Sequence, residues 1–209
     1  MEVSKKMNGF ERLEKRPIKF TDGTHMVGIY TVQENILSAI IPFFSEGLKA
    51  NDRCFYAASP EIISKVAYRL KDNGIDVDQA IKKSQLILLN EKNPLLRDGK
   101  FDARFLVELY RNDIDNAIKD GWNHVRATAD MAWLINGEEG REQILYYEAL
   151  STKLFNKTEK VHALCQYNTA LMNGNEIIEL LKIHPWALID NRLGENPFWI
   201  DPEPESYRV

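Results

Sequence analysis

The residues best equipped for chemistry fall in and around one stretch, Trp122-Asn-His-Val-Arg-Ala-Thr-Ala-Asp-Met-Ala-Trp133. Arg126 and Asp130 are opposite charges four positions apart among small and apolar neighbours, with Met131 and Trp133 beside them. Such a pair either braces a strand end or orients the polar end of a ligand, and the residues leave both readings open. An amphipathic helix, Phe101 to Lys119, precedes the stretch, and a second helix, from about Glu138 to Phe155, follows Asn136-Gly137. A short strand between two helices is the middle of an α/β unit. That reading puts Arg126 and Asp130 at or just beyond the strand's carboxyl end, where open parallel sheets bind ligands. Tyr30, Ala58-Ser59, Asn90 and Tyr167-Asn168 end the neighbouring strands and join them there. An aromatic and apolar set with a few polar groups suits a small-molecule pocket. Trp133 and Tyr167 read as its walls and Tyr56 as core. Four residues of strand span about 13 Å. Arg126 and Asp130 therefore meet only if the chain turns near Thr128; in a straight strand Arg126 needs another partner, such as Glu148.

Histidine and cysteine raise two further chemistries. His162 and Cys165 are three apart in an expected strand, so they point to opposite faces. His25 begins a different strand. With no C-x-x-C or H-x-x-x-H pair, this spacing does not gather metal ligands, and no metal or cofactor is expected. The same geometry argues against a cysteine nucleophile activated by histidine. Cys54 and Cys165, the only two cysteines, read as buried reduced thiols. His124 reads as structural and His184, before Pro185, as a turn residue.

Five strand–helix alternations must position these groups. The strands are expected at His25–Tyr30, Arg53–Ala58, Gln85–Asn90, the central stretch, and Lys160–Tyr167, with a last extended piece at His184–Asp190 and an edge pairing at Phe198–Ile200. Helices are expected over Val32–Ala50, where Pro42 could kink or split the helix, and after Ser59-Pro60-Glu61, a good helix start. Shorter ones are expected over Val77–Lys83 and Asn175–Lys182. The pattern predicts an α/β fold with a mostly parallel sheet and helices on both faces. Residues 1–21 read as a mobile arm, 22–200 as one domain, and 201–209 as a loose, proline-broken acidic tail.

The totals narrow the function. A net charge of −4 without a basic block argues against direct nucleic-acid binding. No apolar run nears the roughly 18 residues of a membrane span, and the charged N-terminus lacks a signal-peptide core, so a cytoplasmic location is expected.

The order of elements resembles the three-layer layout of RecA/KaiC-type ATPases, whose first strand runs into a G-x-x-x-x-G-K-[ST] phosphate loop. Here it runs into Tyr30-Thr-Val-Gln-Glu-Asn35. There is no glycine to let backbone N–H groups close on phosphate and no lysine to neutralise it. The phosphate-binding loop is lost, and ATP hydrolysis is not expected. Finer details are similar to the MEDS family, the sensory domain of methanogens and methylotrophs. The resemblance rests on His25 and Tyr30 in the spacing H-x-x-x-x-Y, Gly47-Leu48, Arg126 through Trp133, Tyr147-Glu148, Cys165-Gln-Tyr167-Asn168, His184-Pro185 and Asn196-Pro197-Phe198. It implies a non-catalytic sensor of small molecules, including hydrocarbon derivatives, that signals through a partner such as a kinase or transcription regulator. A homo-oligomer is compatible with it.

Strand-end position and resemblance together give the candidate ligand-binding set: His25, Tyr30, Ser59, Arg126, Asp130, Met131, Trp133, Glu148, Cys165, Tyr167 and His184. Two alternatives stay open. One is a hydrolase or transferase using Arg126, Asp130 and a nearby histidine; the other is an inactive subunit related to RecA-like ATPases.

Overall fold

The computed structural model describes residues 11–12, 23–90, 100–136, 140–158 and 160–209. Among the described residues, eight strands form one sheet in the order β1-β8-β7-β2-β6-β5-β3-β4. In chain order these are β1 (Glu11–Arg12), β2 (Thr24–Tyr30), β3 (Arg53–Ala58), β4 (Leu86–Asn90), β5 (Val125–Asp130), β6 (Val161–Asn168), β7 (Trp186–Ile189) and β8 (Arg192–Glu195). The six strands from β7 through β2, β6, β5 and β3 to β4 are parallel, and β8 and β1 add an antiparallel edge. Most of the expected mobile arm lies outside the described residues, but Glu11 and Arg12 pair with β8. The strand that pairs beyond β7 is Arg192–Glu195 rather than the expected Phe198–Ile200. Asp190 and Asn191 adopt positive φ and reverse the chain in two residues, as a tight hairpin requires, so pairing starts before Phe198 is reached.

Helices cover both faces. On one side lie α1 (Gln33–Lys49), α2 (Pro60–Asp72) and α3 (Val77–Lys82); on the other lie α4 (Ala103–Lys119), α6 (Ile144–Phe155) and α7 (Gly174–Ile183), with the single turn α5 (Ala132–Ile135) after β5. The strands read as continuous apolar runs because each face has its own core. In β3, Cys54, Tyr56 and Ala58 pack towards α1, while Phe55 and Ala57 pack towards α4. The same alternation in β6 sends Leu164 to the α1 side and Ala163, Cys165 and Tyr167 to the α6 side. Local signals fix the helix starts. Ser59 accepts from the Ile62 N–H, Asp102 from Phe105 and Asn173 from Glu176, the last in a full capping box. Pro42 lies inside α1 without ending it.

The C-terminal residues are docked, not loose. The Ile200 N–H donates to the Lys182 carbonyl, Lys153 pairs with Asp201 and Arg104 with Glu205, and the Tyr146 hydroxyl donates to Glu205. This segment therefore rests on α4, α6 and α7.

Candidate functional site

β5 runs straight, so Arg126 and Asp130 do not meet. Arg126 is the second residue of the strand, not near its carboxyl end, and its partner is neither Asp130 nor Glu148. Its Nε donates to Asp52 Oδ2 at 2.8 Å and its Nη1 to the Phe43 carbonyl at 2.8 Å, with the guanidinium over the Phe43 ring. Asp52 is buried and also meets His124 Nδ1 at 3.2 Å. This is a bracing group beneath α1. Gly47 makes it fit, since a Cβ there would stand 2.5 Å from Arg126 Cδ. Asp130 does lie at the strand end, where its Oδ1 accepts from the Tyr30 hydroxyl at 3.3 Å and the Ala132 N–H at 3.0 Å. Burial raises the pKa of Asp130 above the usual carboxylate range, against these two bonds.

The other expected strand-end residues are mostly absorbed by structure. Ser59 caps α2. Met131 and Trp133 are buried in the core beneath α4 and α6, with Trp133 edge-on to Phe101 at 6.2 Å. A cleft of about 360 Å³ does open beyond the strand ends, beside Ile135, Arg141, Met172 and Glu176. None of the expected residues lines it.

Four other residues of the expected set converge away from the strand ends, on the sheet face under α6 and opposite to Arg126. His25 leaves β2 beside Cys165 of β6, Glu148 comes down from α6, and His184 follows the last turn of α7. All four are buried, and one ligand-type atom from each lies within 4.8 Å of every other. Glu148 Oε2 is 3.3 Å from His25 Nε2 and 3.2 Å from His184 Nε2, and His25 Nε2 is 3.4 Å from Cys165 Sγ. The Tyr167 hydroxyl donates to the other carboxylate oxygen. The spacing argument is right that His162 and Cys165 diverge, for His162 faces the α1 side with His124. It misses the gathering of His25 and Cys165, because the parallel pairing of β2 with β6 sets Val27 against Cys165 and turns His25 to the same face. Glu148 and His184 then arrive from helices far away in sequence.

Electrostatics follow from the burial. Desolvation, reinforced by His184, lowers His25 to about 4, so its imidazole is neutral at pH 7. Burial opposes ionisation of Glu148, yet bonds from His184 and His25 outweigh it and hold the carboxyl well below its usual range. Burial, with Glu148 alongside, pushes the Cys165 thiol and the Tyr167 hydroxyl well up.

Beside Cys165 is a cavity of about 20 Å³, floored by Ala127, Ala129 and Ala163 and walled by Tyr110, Tyr147 and Phe155. Three alanines in adjacent strands leave this gap because each lacks the side chain that would fill it. Sequence reading missed the cavity, and it missed Asp52 and Thr152, the latter bonded to His25 Nδ1 at 2.8 Å. The alanines were visible as small residues; which face they share depends on strand register.

A mostly parallel sheet between two helix layers defines a RecA/KaiC-like fold. Solved structures of that fold are similar at 11% identity. They include a KaiC-like protein from Pyrococcus horikoshii OT3 (TM-score 0.54, covering 80% of this chain and 71% of that one) and the flagellar accessory protein FlaH from Methanocaldococcus jannaschii (0.56, 81% and 71%). An uncharacterized P. horikoshii protein solved with an unknown peptide is similar too (0.59, 82% and 78%). The chain belongs to the MEDS family, the methanogen/methylotroph DcmR sensory domain, which matches residues 24–185. It is also 28% identical over 160 residues to the transcriptional repressor DcmR of Methylorubrum extorquens; that match takes in 77% of this chain and 57% of the repressor's length. The domain is therefore a sensory one. No helix among the described residues is long and apolar enough to cross a membrane.

Proposed function

We propose that this domain senses a small, largely apolar molecule received in the cavity beside Cys165, and passes the event through α6 to a signalling partner of the kinase or transcription-regulator type. The observation that carries this reading is the adjacency of that cavity to the buried His25–Glu148–Cys165–His184 cluster. A water needs roughly 10–15 Å³ of such space, so about 20 Å³ suits a ligand of one carbon or little more unless the walls move. The strand-end site argued from Arg126 and Asp130 loses its support, because Arg126 serves Asp52 and Asp130 serves Tyr30.

One observation favours thiol catalysis instead: His25 Nε2 touches Cys165 Sγ at 3.4 Å. A nucleophilic thiolate needs a lowered pKa and access, whereas Cys165 is buried and its pKa is pushed up. Sensing remains the better reading.

The test is methyl NMR on alanine-labelled protein titrated with methanol, methanethiol and halomethanes. The Ala127, Ala129 and Ala163 methyls should shift together, and Ala163→Leu should abolish the response. Shifts confined to Ala58 and Ala132, or none with any probe, would overturn the assignment.

A further inference from the structure

The hydrogen bonds around the buried cluster turn its four ligand-type atoms towards one point. Thr152 Oγ1 donates its one proton to the Ile183 carbonyl at 3.1 Å. The 2.8 Å contact between His25 Nδ1 and that hydroxyl oxygen therefore requires Nδ1 to carry the hydrogen. His184 Nδ1 faces the Leu180 carbonyl at 2.8 Å, and a carbonyl only accepts. Both Nδ1 atoms are thus donors to the surrounding structure, which leaves both Nε2 atoms turned inwards on Glu148 Oε2, with the Cys165 thiol beside them. The two histidines are the ion-pair partners of Glu148 among the described residues, and both Glu148 and His25 have no exposed surface.

We propose that His25 Nε2, His184 Nε2, Glu148 Oε2 and Cys165 Sγ bind one divalent transition-metal ion of the zinc class, with the Cys165 proton released to solvent on binding. Two nitrogens, a carboxylate and a sulfur are ligands that zinc takes tetrahedrally at about 2.0–2.3 Å, which places ligand atoms roughly 3.3–3.8 Å apart by tetrahedral geometry. The separations of 3.2, 3.3 and 3.4 Å are close to that edge. An independent observation is the outer layer. Metal-binding histidines characteristically give their other N–H to a carbonyl or similar acceptor, and ligating carboxylates are hydrogen-bonded in turn. Here Thr152, the Leu180 carbonyl and the Tyr167 hydroxyl fill those roles for His25, His184 and Glu148. The ion would tie α6 and the end of α7 to β2 and β6, and its thiolate would border the cavity. This inference deepens the sensing assignment and rests on it only for what the metal is for; the binding itself stands apart.

The experiment uses chelator-dialysed full chain and Co²⁺ as a spectroscopic stand-in, then Zn²⁺. One equivalent of Co²⁺ should give tetrahedral d–d bands and a thiolate charge-transfer band in the near ultraviolet. Cys165→Ser should lose the charge-transfer band, Cys54→Ser should keep it, and Zn²⁺ should displace the cobalt spectrum. Zinc at about a hundredfold excess over its dissociation constant should raise the melting temperature by roughly 5–10 °C. Should Cys165→Ser or Cys54→Ser fail to fold, the native spectrum and the zinc-induced rise in melting temperature decide alone. No cobalt spectrum, or a charge-transfer band that survives in a folded Cys165→Ser, would overturn the metal site. The alanine-methyl titration, run without metal, then still decides the sensing assignment separately.

Discussion

Arg126 can carry its charge into the sheet only because Asp52 waits at the end of α1 to meet it. Breaking a buried pair by removing one partner costs about 3–5 kcal/mol, so Asp52→Ala should melt far below the parent or fail to fold in a thermal scan. Gly47→Ala should also destabilise, by about 1–3 kcal/mol, since the added Cβ displaces Arg126. Asp130 behaves oppositely. Its folded pKa lies above the ordinary value, so ionisation opposes folding, and its contribution to stability falls as pH rises from the unfolded value through the folded one. Asp130→Asn keeps an oxygen for Tyr30 and Ala132, and should melt no lower than the parent at pH 7 while losing the fall in stability that Asp130 contributes as pH rises through its folded pKa. A drop of several degrees at pH 7 would contradict this. At the two thiols, burial and raised pKa values predict little labelling of native protein and two equivalents after denaturation. The types of these residues were legible in the sequence, but their partners were not. Asp52 lies 74 positions from Arg126, and nothing local announces a contact of that range.

At the scale of elements, the sequence was more informative. A near-continuous apolar run places β3 over Arg53–Ala58, and Ser59-Pro60-Glu61 places the start of α2. The central stretch was read too long at its amino end: Trp122 to His124 precede the strand, which displaced Arg126 towards the carboxyl edge on paper. The family resemblance, not spacing, pointed to His25, Glu148, Cys165, Tyr167 and His184 together, because the face shared by β2 and β6 is set by register and by helices from elsewhere. The turn from β2 to α1 has its own consequence. Val32 precedes α1 with no side-chain cap, and the segment 30–35 has neither glycine nor lysine. A helix N-terminus can receive phosphate only where backbone N–H groups are free to approach it. Calorimetry with ATP and magnesium should therefore show no micromolar binding, and a micromolar dissociation constant would contradict the lost phosphate loop.

For the whole molecule, the helices that cover the buried cluster also hold the C-terminal segment. Glu148 and Lys153 lie on the same helix, one facing His25 and His184, the other paired with Asp201 at 2.8 Å. Lys182, near the end of α7, gives its carbonyl to the Ile200 N–H. A change in how α6 and α7 sit on the sheet would thus reach the surface at residues 196–208, of which the sequence marks only 201 onwards as a loose tail, because proline and acidic residues dominate there. Such a change also ought to be local in energy, leaving the β3–β4 half of the sheet undisturbed. The most direct measurement is hydrogen–deuterium exchange with and without the one-carbon compound that shifts the cavity methyls. The account predicts altered protection in α6, α7, β6 and residues 196–208, with β3, β4 and α2 unchanged. Changes restricted to residues 30–35 and 130–136, at the strand ends, would contradict it.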